Sequence, residues 1–298
     1  MPQATTTPRW QGQRGRLEVW YATLTHPATS TGLWLHHEVV APPEAEPFAH
    51  GWVALFLSDR TPTVERFGPC PASPGEAPQL LQGKAGTISW DLTASDDSPP
   101  LYTFPRWAWE RELLPGAQVV TSPTAMFGGT VQHVDEAVDV DGSRGALAHI
   151  YGHGNAERWG WLHADLGDGD VLEIVAATPR RRTLSWLPAL PLVQLRLGGR
   201  DWPRDPVAAA PLLRARLGLP QWSVRGVVGR RRLRVDVRIP DAESVALDYA
   251  DPDGSPATCV NSERSDADIT LERFDGRWRT ERTWSLRGTA HAEIGTRP

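Results

Sequence analysis

The feature that most constrains the fold is an alternation of apolar and polar residues with a period of two. From Leu233 to Ile239 apolar residues alternate with arginine and aspartate, as expected for a strand with one buried and one wet face. Residues 222–228 precede this strand across a Gly229-Arg230 turn. Two further hairpins are indicated, one joining 159–166 to 171–177 across Asp168-Gly169 and one joining 269–274 to 277–284 across Asp275-Gly276. The pattern predicts a meandering antiparallel sheet.

Helical periodicity is scarce by comparison. The one candidate helix, residues 207–217, is interrupted by Pro211. Many short strands without alternating helices favour an all-β fold of barrels or sandwiches, and of these two the barrel naturally encloses a cavity. A length of 298 residues favours two domains. The prolines and glycines that follow residue 187 are the best internal boundary, so we expect domains at 1–187 and 188–298.

Composition excludes several function classes. The net charge is -5, the sequence pI is near 6.0, and the arginines are scattered, so nucleic acid is not an expected partner. The start of the chain does not resemble a secretion signal, and no apolar run reaches the roughly 20 residues of a membrane span. We therefore expect a cytoplasmic monomer or homodimer. Cys70 and Cys259 are compatible with one disulfide or with two reduced thiols.

Known cofactor and catalytic motifs are absent from the sequence. It has no His-Glu-x-x-His, Cys-x-x-Cys or Gly-x-Ser-x-Gly pattern, and Gly152-His153-Gly154 is not followed by a third glycine. We expect no metal and no cofactor. Fourteen tryptophans are unusually many and indicate either Trp-rich cores or a Trp-lined cavity.

The densest group of functional side chains lies between residues 149 and 163. If 154–158 form a turn and His153 pairs with Trp159, six side chains share one face. They are His149, Tyr151, His153, Trp159, Trp161 and His163. Histidines among aromatic rings suit an apolar ligand and proton transfer near neutral pH. The alternative is that the aromatic rings fill a core and the histidines are hydrogen-bonded at the edge of the sheet.

Two other stretches are candidates for the same cavity. We expect residues 34–38 to form a strand in which Trp34, His36 and Glu38 share one face and His37 points to the other. Residues 105–110 place Trp107 and Trp109 on one side if they are extended. Either stretch could instead be ordinary core flanked by solvated charges.

Three segments of the chain resemble a lipocalin-related superfamily that includes carotenoid 1,2-hydratases, tocopherol cyclases and AttH-like proteins. The segments are Trp20-Tyr21-Ala22 leading into Gly32-Leu33-Trp34, then Tyr102-Thr103-Phe104-Pro105 with Leu114-Pro115-Gly116, Ser122-Pro123 and Gly128-Gly129-Thr130-Val131, and finally Tyr151 to Trp161. The last is similar to the family's Asp-His-Asn-Trp-Gly-like centre, although here three residues separate Asn155 from Trp159. The resemblance implies two consecutive calycin-like antiparallel β-barrels, an isoprenoid or polycyclic precursor as substrate, and chemistry without a cofactor.

These observations lead to a functional expectation. We expect a cofactor-independent cyclase or hydratase that acts on a hydrophobic isoprenoid, polyene or polyketide-like molecule. His153, His149 and Glu38 are the candidate catalytic residues. The candidate substrate-binding residues are Trp34, His36, Trp107, Trp109, Tyr151, Asn155, Trp159, Trp161 and His163. A non-catalytic carrier or sensor of a hydrophobic molecule is the alternative, and a structural or sugar-binding module would instead display its aromatic rings on an open surface.

Overall fold

The structure is a computed structural model that describes residues 6–58, 60–112, 116–180 and 188–298. Within these residues the chain forms two antiparallel sheets of ten strands each. It divides into two compact units, the first comprising Met1–Tyr102, Arg106–Asn155 and Asp248–Ala257, and the second Thr103–Pro105, Ala156–Leu247 and Thr258–Pro298.

The first sheet is built from the N-terminal half of the chain. Its strands are β1 (Arg16–Thr25), β2 (Gly32–Ala41), β3 (Phe48–Phe56), β4 (Thr63–Pro71), β5 (Gln82–Ala85), β6 (Ile88–Ser95), β7 (Leu101–Tyr102), β8 (Gly116–His133), β9 (Glu136–Asp139) and β10 (Ser143–Gly152), with helix α1 (Arg106–Glu110) between β7 and β8. The strand order is β4-β3-β2-β1-β10-β8-β6-β5, with β7 and β9 also pairing with β8.

The second sheet follows directly along the chain. Its strands are β11 (Arg158–Gly167), β12 (Asp170–Thr178), β13 (Leu190–Leu197), β14 (Arg200–Trp202), β15 (Leu213–Arg216), β16 (Gln221–Val228), β17 (Arg231–Arg238), β18 (Val245–Ala250), β19 (Pro256–Phe274) and β20 (Trp278–Thr296), with helix α2 (Pro206–Ala209) between β14 and β15. The order is β14-β13-β12-β11-β20-β19-β17-β16-β15, and β18 pairs with β19.

The two sheets share one topology. In each, the first strand pairs with the last, as β1 pairs with β10 and β11 with β20. Three consecutive hairpin strands then follow on one side of the first strand, and the remaining strands continue the sheet on the other side. The chain therefore repeats one architecture, although no internal repeat is visible in its sequence.

Each unit has its own apolar core on one face of its sheet. The first core is built from alternate residues of the long strands, such as Leu33, Leu35, Val53 and Leu55. The second uses the same alternation, with Leu162, Leu172 and Ile174 fully buried. Because successive side chains of a strand point to opposite faces, the residues between these core positions form a second face, which carries the polar clusters described below.

The predicted all-β fold with two lipocalin-like antiparallel barrels is confirmed. In the first unit the outermost strands β4 and β5 approach each other, since the backbone N–H and the hydroxyl of Thr87 donate to Glu65 Oε1 at 3.2 and 2.7 Å. The three predicted hairpins are also confirmed, as β11–β12, β16–β17 and β19–β20.

Two expectations about the second unit differ from the structure. The helix expected at 207–217 is limited to α2 and a 3-10 turn at Ala210–Leu212, and from Leu213 the chain is a strand. Asp205 caps α2, and Pro211 cannot donate to a longer helix.

The chain passes from the first unit to the second near Asn155, not at the boundary expected between 187 and 188. The reason is that β11 and β12 pair with β20 and β13 and thus complete the second sheet. Residues 181–187, like Leu114 and Pro115, lie outside the described residues. None of the helices found in the described ranges is long and apolar enough to cross a bilayer.

Candidate functional site

The first unit carries a buried group of polar and aromatic side chains on the sheet face opposite its core. We call this group the His36 cluster. Its members are Trp34, His36 and Glu38 on β2, His50 and Trp52 on β3, and Tyr249. The strand register pairs His36 with Trp52 and Glu38 with His50, so the cluster follows directly from the β2–β3 hairpin.

Glu38 lies between two imidazoles. Its Oε1 is 2.9 Å from His36 Nε2 and its Oε2 is 2.9 Å from His50 Nε2, while the carboxyl side chain is only 3% exposed. Burial alone would raise the pKa of Glu38, but the contacts with His36 and His50 outweigh it and lower the pKa to about 2. Glu38 is therefore an ionised carboxylate near neutral pH and can only accept hydrogen bonds.

The ionised carboxylate fixes the orientation of His36. Since Glu38 can only accept, His36 Nε2 carries the proton of their hydrogen bond. The other ring nitrogen, Nδ1, is buried and has no hydrogen-bond partner within the described residues. A carboxylate that orients one imidazole nitrogen while the other stays available is the arrangement of a general acid–base pair.

Aromatic rings surround His36. The ring of Trp52 is stacked on it, with centroids 4.0 Å apart and planes inclined by 8°, and Tyr249 is stacked at 5.8 Å. Trp34 meets the imidazole edge-on at 5.4 Å. Trp52 is fully buried, and its indole N–H finds no acceptor among the described residues. The His36 cluster thus combines an imidazole with aromatic rings, and these are side-chain types that can transfer a proton and stabilise positive charge.

His37 lies on the opposite face of β2, where its ring meets Trp20 and Phe67. Burial lowers its pKa to about 4, and the neighbouring His36 and His50 contribute in the same direction. His37 is accordingly neutral near pH 7 and separate from the His36 cluster.

The second unit has a comparable group, which we call the His163 cluster. Its members are Trp161, His163, Glu173, Glu263 and His291, all nearly inaccessible to solvent. The β11–β12 hairpin pairs His163 with Glu173, and β20 places His291 opposite His163. The cluster lies on the sheet face that the second core does not use.

Glu173 is the centre of the His163 cluster. Its Oε1 accepts the indole N–H of Trp161 at 2.6 Å, and its Oε2 is 3.0 Å from His163 Nδ1. His163 Nε2 is buried without a partner in the described part of the chain. The His291 ring is stacked on His163 at 5.6 Å, and burial together with this neighbouring imidazole lowers the pKa of His291 well below its ordinary value.

Trp159 lies beside this cluster and has its own carboxylate. Its indole N–H donates to Glu293 Oε1 at 2.7 Å. The ring covers Gly295, directly opposite on β20, where a side-chain carbon would collide with the indole. A glycine at this position is therefore required for Trp159 to lie flat against the sheet.

The six-residue face predicted from residues 149–163 is wrong. β10 pairs with β1 and β8, whereas β11 pairs with β12 and β20, so the two segments belong to different sheets and not to one hairpin. His153 is exposed just beyond β10, where Arg16 Nη1 is 2.8 Å from its Nδ1. His149 and Tyr151 lie in the first unit, and Trp159, Trp161 and His163 lie in the second.

His149 and Tyr151 share the core-side face of β10. His149 Nε2 is 2.7 Å from Glu18 Oε1, and both residues are almost fully buried. The Trp20 ring is stacked on His149 at 4.9 Å, and both line a cavity in the first unit. Burial raises the pKa of Tyr151, whose ring lies 5.7 Å from the guanidinium of Arg9.

Asn155 anchors the loop that follows β10. Its backbone N–H and its side-chain amide both donate to Asp251 Oδ1, at 2.9 and 2.8 Å. Gly154 has a φ of +130°, and a side-chain carbon there would collide with the Asp251 carboxylate. Asn155 is thus held by Asp251 and has a structural role in this loop.

The expectation that Trp107 and Trp109 share one side is wrong. Both belong to the short helix α1 and not to a strand, so residues two apart point in different directions. Trp107 is 54% exposed and Trp109 is 3% exposed. Trp109 packs edge-on against His149 at 5.3 Å.

Several cluster members were not selected from the sequence, although some have a local signal. If β2 and β3 form a hairpin across the Ala41–Pro47 loop, a register centred on residue 44 pairs Glu38 with His50 and His36 with Trp52. The Asp168-Gly169 turn likewise brings Glu173 opposite His163. Tyr249, Glu263 and His291 come from distant parts of the chain and have no local signal. Within the described ranges no three His, Cys, Asp or Glu side chains are arranged to hold a metal ion.

Comparison with solved structures agrees with the fold. Three of them are similar over most of their length: an AttH-type protein of Nitrosomonas europaea (TM-score 0.57, 14% identity, 94% of this chain and 92% of that chain), CghA with Sch210972 (0.61, 13%, 95% and 88%), and kievitone hydratase from Nectria haematococca (0.59, 10%, 99% and 92%). At these identities the likeness concerns the fold alone.

Comparison of sequences identifies the family. Two proteins of Mycobacterium tuberculosis, named Uncharacterized protein Rv0493c (strain H37Rv) and Uncharacterized protein MT0513 (strain CDC 1551), are each 48% identical over 307 aligned positions, covering 99% of this chain and 91% of the relative. The family model described as tocopherol cyclase-like matches residues 76–296. Because this match covers most of the chain, the protein belongs to the tocopherol cyclase-like family.

Proposed function

We propose that the chain is a cofactor-independent cyclase or hydratase of a hydrophobic small molecule, with His36 as the group that moves the proton. The observation that carries this proposal is the buried hydrogen bond between His36 Nε2 and the ionised Glu38, which leaves Nδ1 without a partner. An isoprenoid, polyene or polyketide-like substrate fits the tryptophan-rich surroundings. Membership of the tocopherol cyclase-like family supports the reaction class.

The proposed reaction begins with His36 in its protonated form. Nδ1–H gives its proton to one carbon of a substrate double bond, and the neighbouring carbon becomes cationic. In a cyclisation a second double bond attacks that carbon, and the resulting cation loses a proton from an adjacent carbon to the neutral Nδ1 of His36, so the mass is unchanged and His36 is restored. In a hydration, water attacks and its extra proton returns to His36. In both cases the ionised Glu38 stabilises the imidazolium.

The aromatic members of the His36 cluster have a separate role. The π faces of Trp52, Trp34 and Tyr249 stabilise a carbocation without reacting with it. The unpartnered indole N–H of Trp52 can donate to an oxygen of the substrate. Because these buried rings exclude water, cyclisation is favoured over hydration. Hydration would require one water molecule bound at a fixed position next to the cationic carbon.

The His163 cluster supports a second assignment of the same chemistry. His163 Nδ1 contacts Glu173 and its Nε2 is unpartnered, which is the arrangement seen at His36 with the ring nitrogens exchanged. We assign the proton transfer to His36 first, because the pKa of Glu38 is lowered to about 2 and aromatic rings cover His36.

The proposal is tested with the apolar extract of the organism from which the sequence comes. Wild-type protein, His36→Gln, Glu38→Gln and His163→Gln are incubated with the extract, which is then examined by liquid chromatography and mass spectrometry. We expect wild type to consume one compound and to form a product of equal mass or one heavier by one water. We expect His36→Gln and Glu38→Gln to lower the rate at least 100-fold, since general acid–base catalysis contributes about that much or more.

The matched control is His37→Gln. His37 adjoins both cluster residues in sequence but lies on the other face of β2, so this variant should keep the wild-type rate. Melting curves of all variants separate loss of catalysis from loss of folding. If only His163→Gln lost activity, the proton transfer would be assigned to the His163 cluster instead. If a compound binds but neither wild type nor any folded variant converts it, the result would contradict catalysis and identify a carrier or sensor.

A further inference from the structure

The second unit gathers arginines from separate parts of the chain at one end of its sheet. The strand register aligns the end of β16 with the start of β17, the end of β19 and the start of β20, so the connections at 229–230 and 275–277 lie at the same end. Residues 230–234 hold four arginines, and residues 272–282 hold four more together with three carboxylates. This end is therefore basic, although the net charge of the whole chain is -5.

The three carboxylates at this end already have arginine partners. The pairs, by their nitrogen–oxygen distance, are Arg231–Glu281 at 2.5 Å, Arg232–Glu272 at 2.5 Å, Arg234–Glu272 at 3.3 Å and Arg230–Asp275 at 3.7 Å. Four other arginines here are exposed and form no ion pair within the described part of the chain, and they are Arg273, Arg277, Arg279 and Arg282. Four cationic groups are thus open to an anionic partner.

Apolar side chains lie exposed among these arginines. Leu212 is 55% exposed, and Val227 and Phe274 are each 41% exposed. The start of β15 pairs with the end of β16, which brings Leu212 next to Val227. Trp278 lies opposite Phe274 with ring centroids 5.3 Å apart, and the guanidinium of Arg232 lies 4.7 Å over the indole. We call these four apolar residues and the four unpaired arginines the Arg273 patch.

The composition of the Arg273 patch favours a lipid surface over a purely anionic partner. The surface of an anionic bilayer offers phosphate groups to the arginines and an apolar layer to the exposed aliphatic and aromatic side chains. Arginine can place its stem along that layer while its charge stays among the headgroups. The backbone of duplex nucleic acid would pair with the arginines but would leave Leu212, Val227 and Phe274 without an apolar contact.

We propose that the Arg273 patch docks the protein on the surface of an anionic lipid bilayer. The unpaired arginines contact lipid phosphates, and Phe274 and Trp278 enter the boundary between headgroups and acyl chains. A bilayer also dissolves hydrophobic molecules of the kind that the proposed function requires as substrate. Docking itself goes beyond that function and does not depend on proton transfer by His36.

Co-sedimentation of the full chain with lipid vesicles tests the proposal. One set of vesicles contains phosphatidylcholine alone, and the other contains phosphatidylcholine and anionic phosphatidylglycerol in a ratio of two to one. We expect saturable binding to the anionic vesicles and much weaker binding to the neutral ones. A high salt concentration should weaken binding to the anionic vesicles, because it screens the charges of exposed arginines.

A pair of double variants tests the charge of the patch. Arg273→Gln with Arg279→Gln should weaken binding to the anionic vesicles about 30-fold, since each arginine near such a surface contributes about fivefold. The matched control is Arg216→Gln with Arg238→Gln. It removes the same charge from exposed positions at the opposite ends of β15 and β17 and should bind like wild type.

A pair of single variants tests the apolar part. Phe274→Ser should weaken binding about fivefold, because a partly exposed phenylalanine would no longer transfer apolar surface from water into the bilayer. Met126→Ser changes a residue of the first unit that is 51% exposed, and it should leave binding unchanged. All of these substitutions are at exposed positions, and melting curves identify any variant that fails to fold.

Several results would overturn the inference. They are the absence of binding to the anionic vesicles, equal binding to both kinds of vesicle, and equal losses in the two double variants. Binding to duplex DNA that is tighter than binding to the vesicles would identify a nucleic-acid surface and contradict lipid docking. His36→Gln should bind the vesicles like wild type, so loss of turnover in that variant concerns only the proposed function.

Discussion

At the scale of single residues, buried carboxylates determine which histidines are available for chemistry. Glu38, Glu173 and Glu18 are each 2% exposed or less, and each contacts at least one imidazole nitrogen. A buried carboxylate without such partners would be strongly destabilising. The same contacts orient the imidazoles, so stability and the proposed proton transfer depend on the same few side chains.

His37 makes stability depend on pH in a predictable direction. Its pKa is lowered from 6.5 to about 4 in the folded chain, so between these values the unfolded chain binds more protons and the folded state loses stability as the pH falls. We expect His37→Gln to reduce this loss, by up to about 2 kcal/mol between pH 6.5 and pH 5. Urea unfolding at several pH values measures how the free energy of unfolding of wild type and of the variant depends on pH. His291, whose pKa is also lowered, contributes to the remaining loss, and an unchanged slope in the variant would contradict the assignment to His37.

Substitution of Glu173 should lower the free energy of unfolding far more than substitution of an exposed carboxylate. Glu173→Gln removes the charged partner of His163 and weakens the hydrogen bond from Trp161, and we expect it to lower the free energy of unfolding by about 3 kcal/mol. The control is Glu281→Gln, which breaks a partly exposed ion pair with Arg231 and should cost less than about 1 kcal/mol. Chemical denaturation compares the two. Equal costs would mean that Glu173 is not the centre of its cluster.

At the scale of elements, the short helix α1 separates two neighbouring tryptophans by their exposure. Trp109→Ala removes a ring that is 3% exposed and should cost about 3 to 5 kcal/mol. Trp107→Ala removes a ring that is 54% exposed and should stay within about 0.5 kcal/mol. Thermal and urea unfolding of both variants test this. Similar losses would favour the extended arrangement expected from the sequence.

The loop after β10 offers a second test at this scale. Gly154→Ala combines a φ of +130° with a collision against Asp251, and we expect a loss above about 2 kcal/mol and faster hydrogen exchange in 248–257. Gly254→Ala has a φ of +77° and open space around it, so it should cost only about 1 kcal/mol. If both variants behaved alike, the contact with Asp251 would have no structural importance.

Local patterns predicted much of the element structure. Period-two alternation and the Asp-Gly turns identified the hairpins, because strand face and turn chemistry are encoded within a few residues. The β2 face of Trp34, His36 and Glu38 follows from the same alternation. The pairing of β10 with β1, and of β11 with β20, is set by contacts between distant residues. It therefore had no local signal, and the six-residue face of 149–163 was wrong for that reason.

At the scale of the whole molecule, the order of strands decides where a stable unit can begin. β11 is an interior strand of the second sheet, paired on one side with β12 and on the other with β20. A fragment that starts at residue 188 lacks both β11 and β12 and exposes long unpaired edges. A fragment that starts at residue 156 keeps them.

We expect a fragment of residues 156–298 to show β-sheet circular dichroism and cooperative thermal unfolding, and a fragment of residues 188–298 to show neither. The two fragments are compared in the same buffer, with the full chain as reference. Cooperative folding of the shorter fragment would contradict the assignment of β11 and β12 to the second unit and restore the boundary expected from the sequence.

Transfer of a proton from His36 to carbon is the central claim, and the origin of the new hydrogen in the product tests it most directly. Wild type and His36→Gln are incubated with the apolar extract in D₂O, and carbon-bound deuterium in the product is measured by mass spectrometry after back-exchange of labile sites. We predict one carbon-bound deuterium with wild type and at least 100-fold less product with His36→Gln in the same time. A product without deuterium, or one formed equally fast by His36→Gln, would contradict the claim.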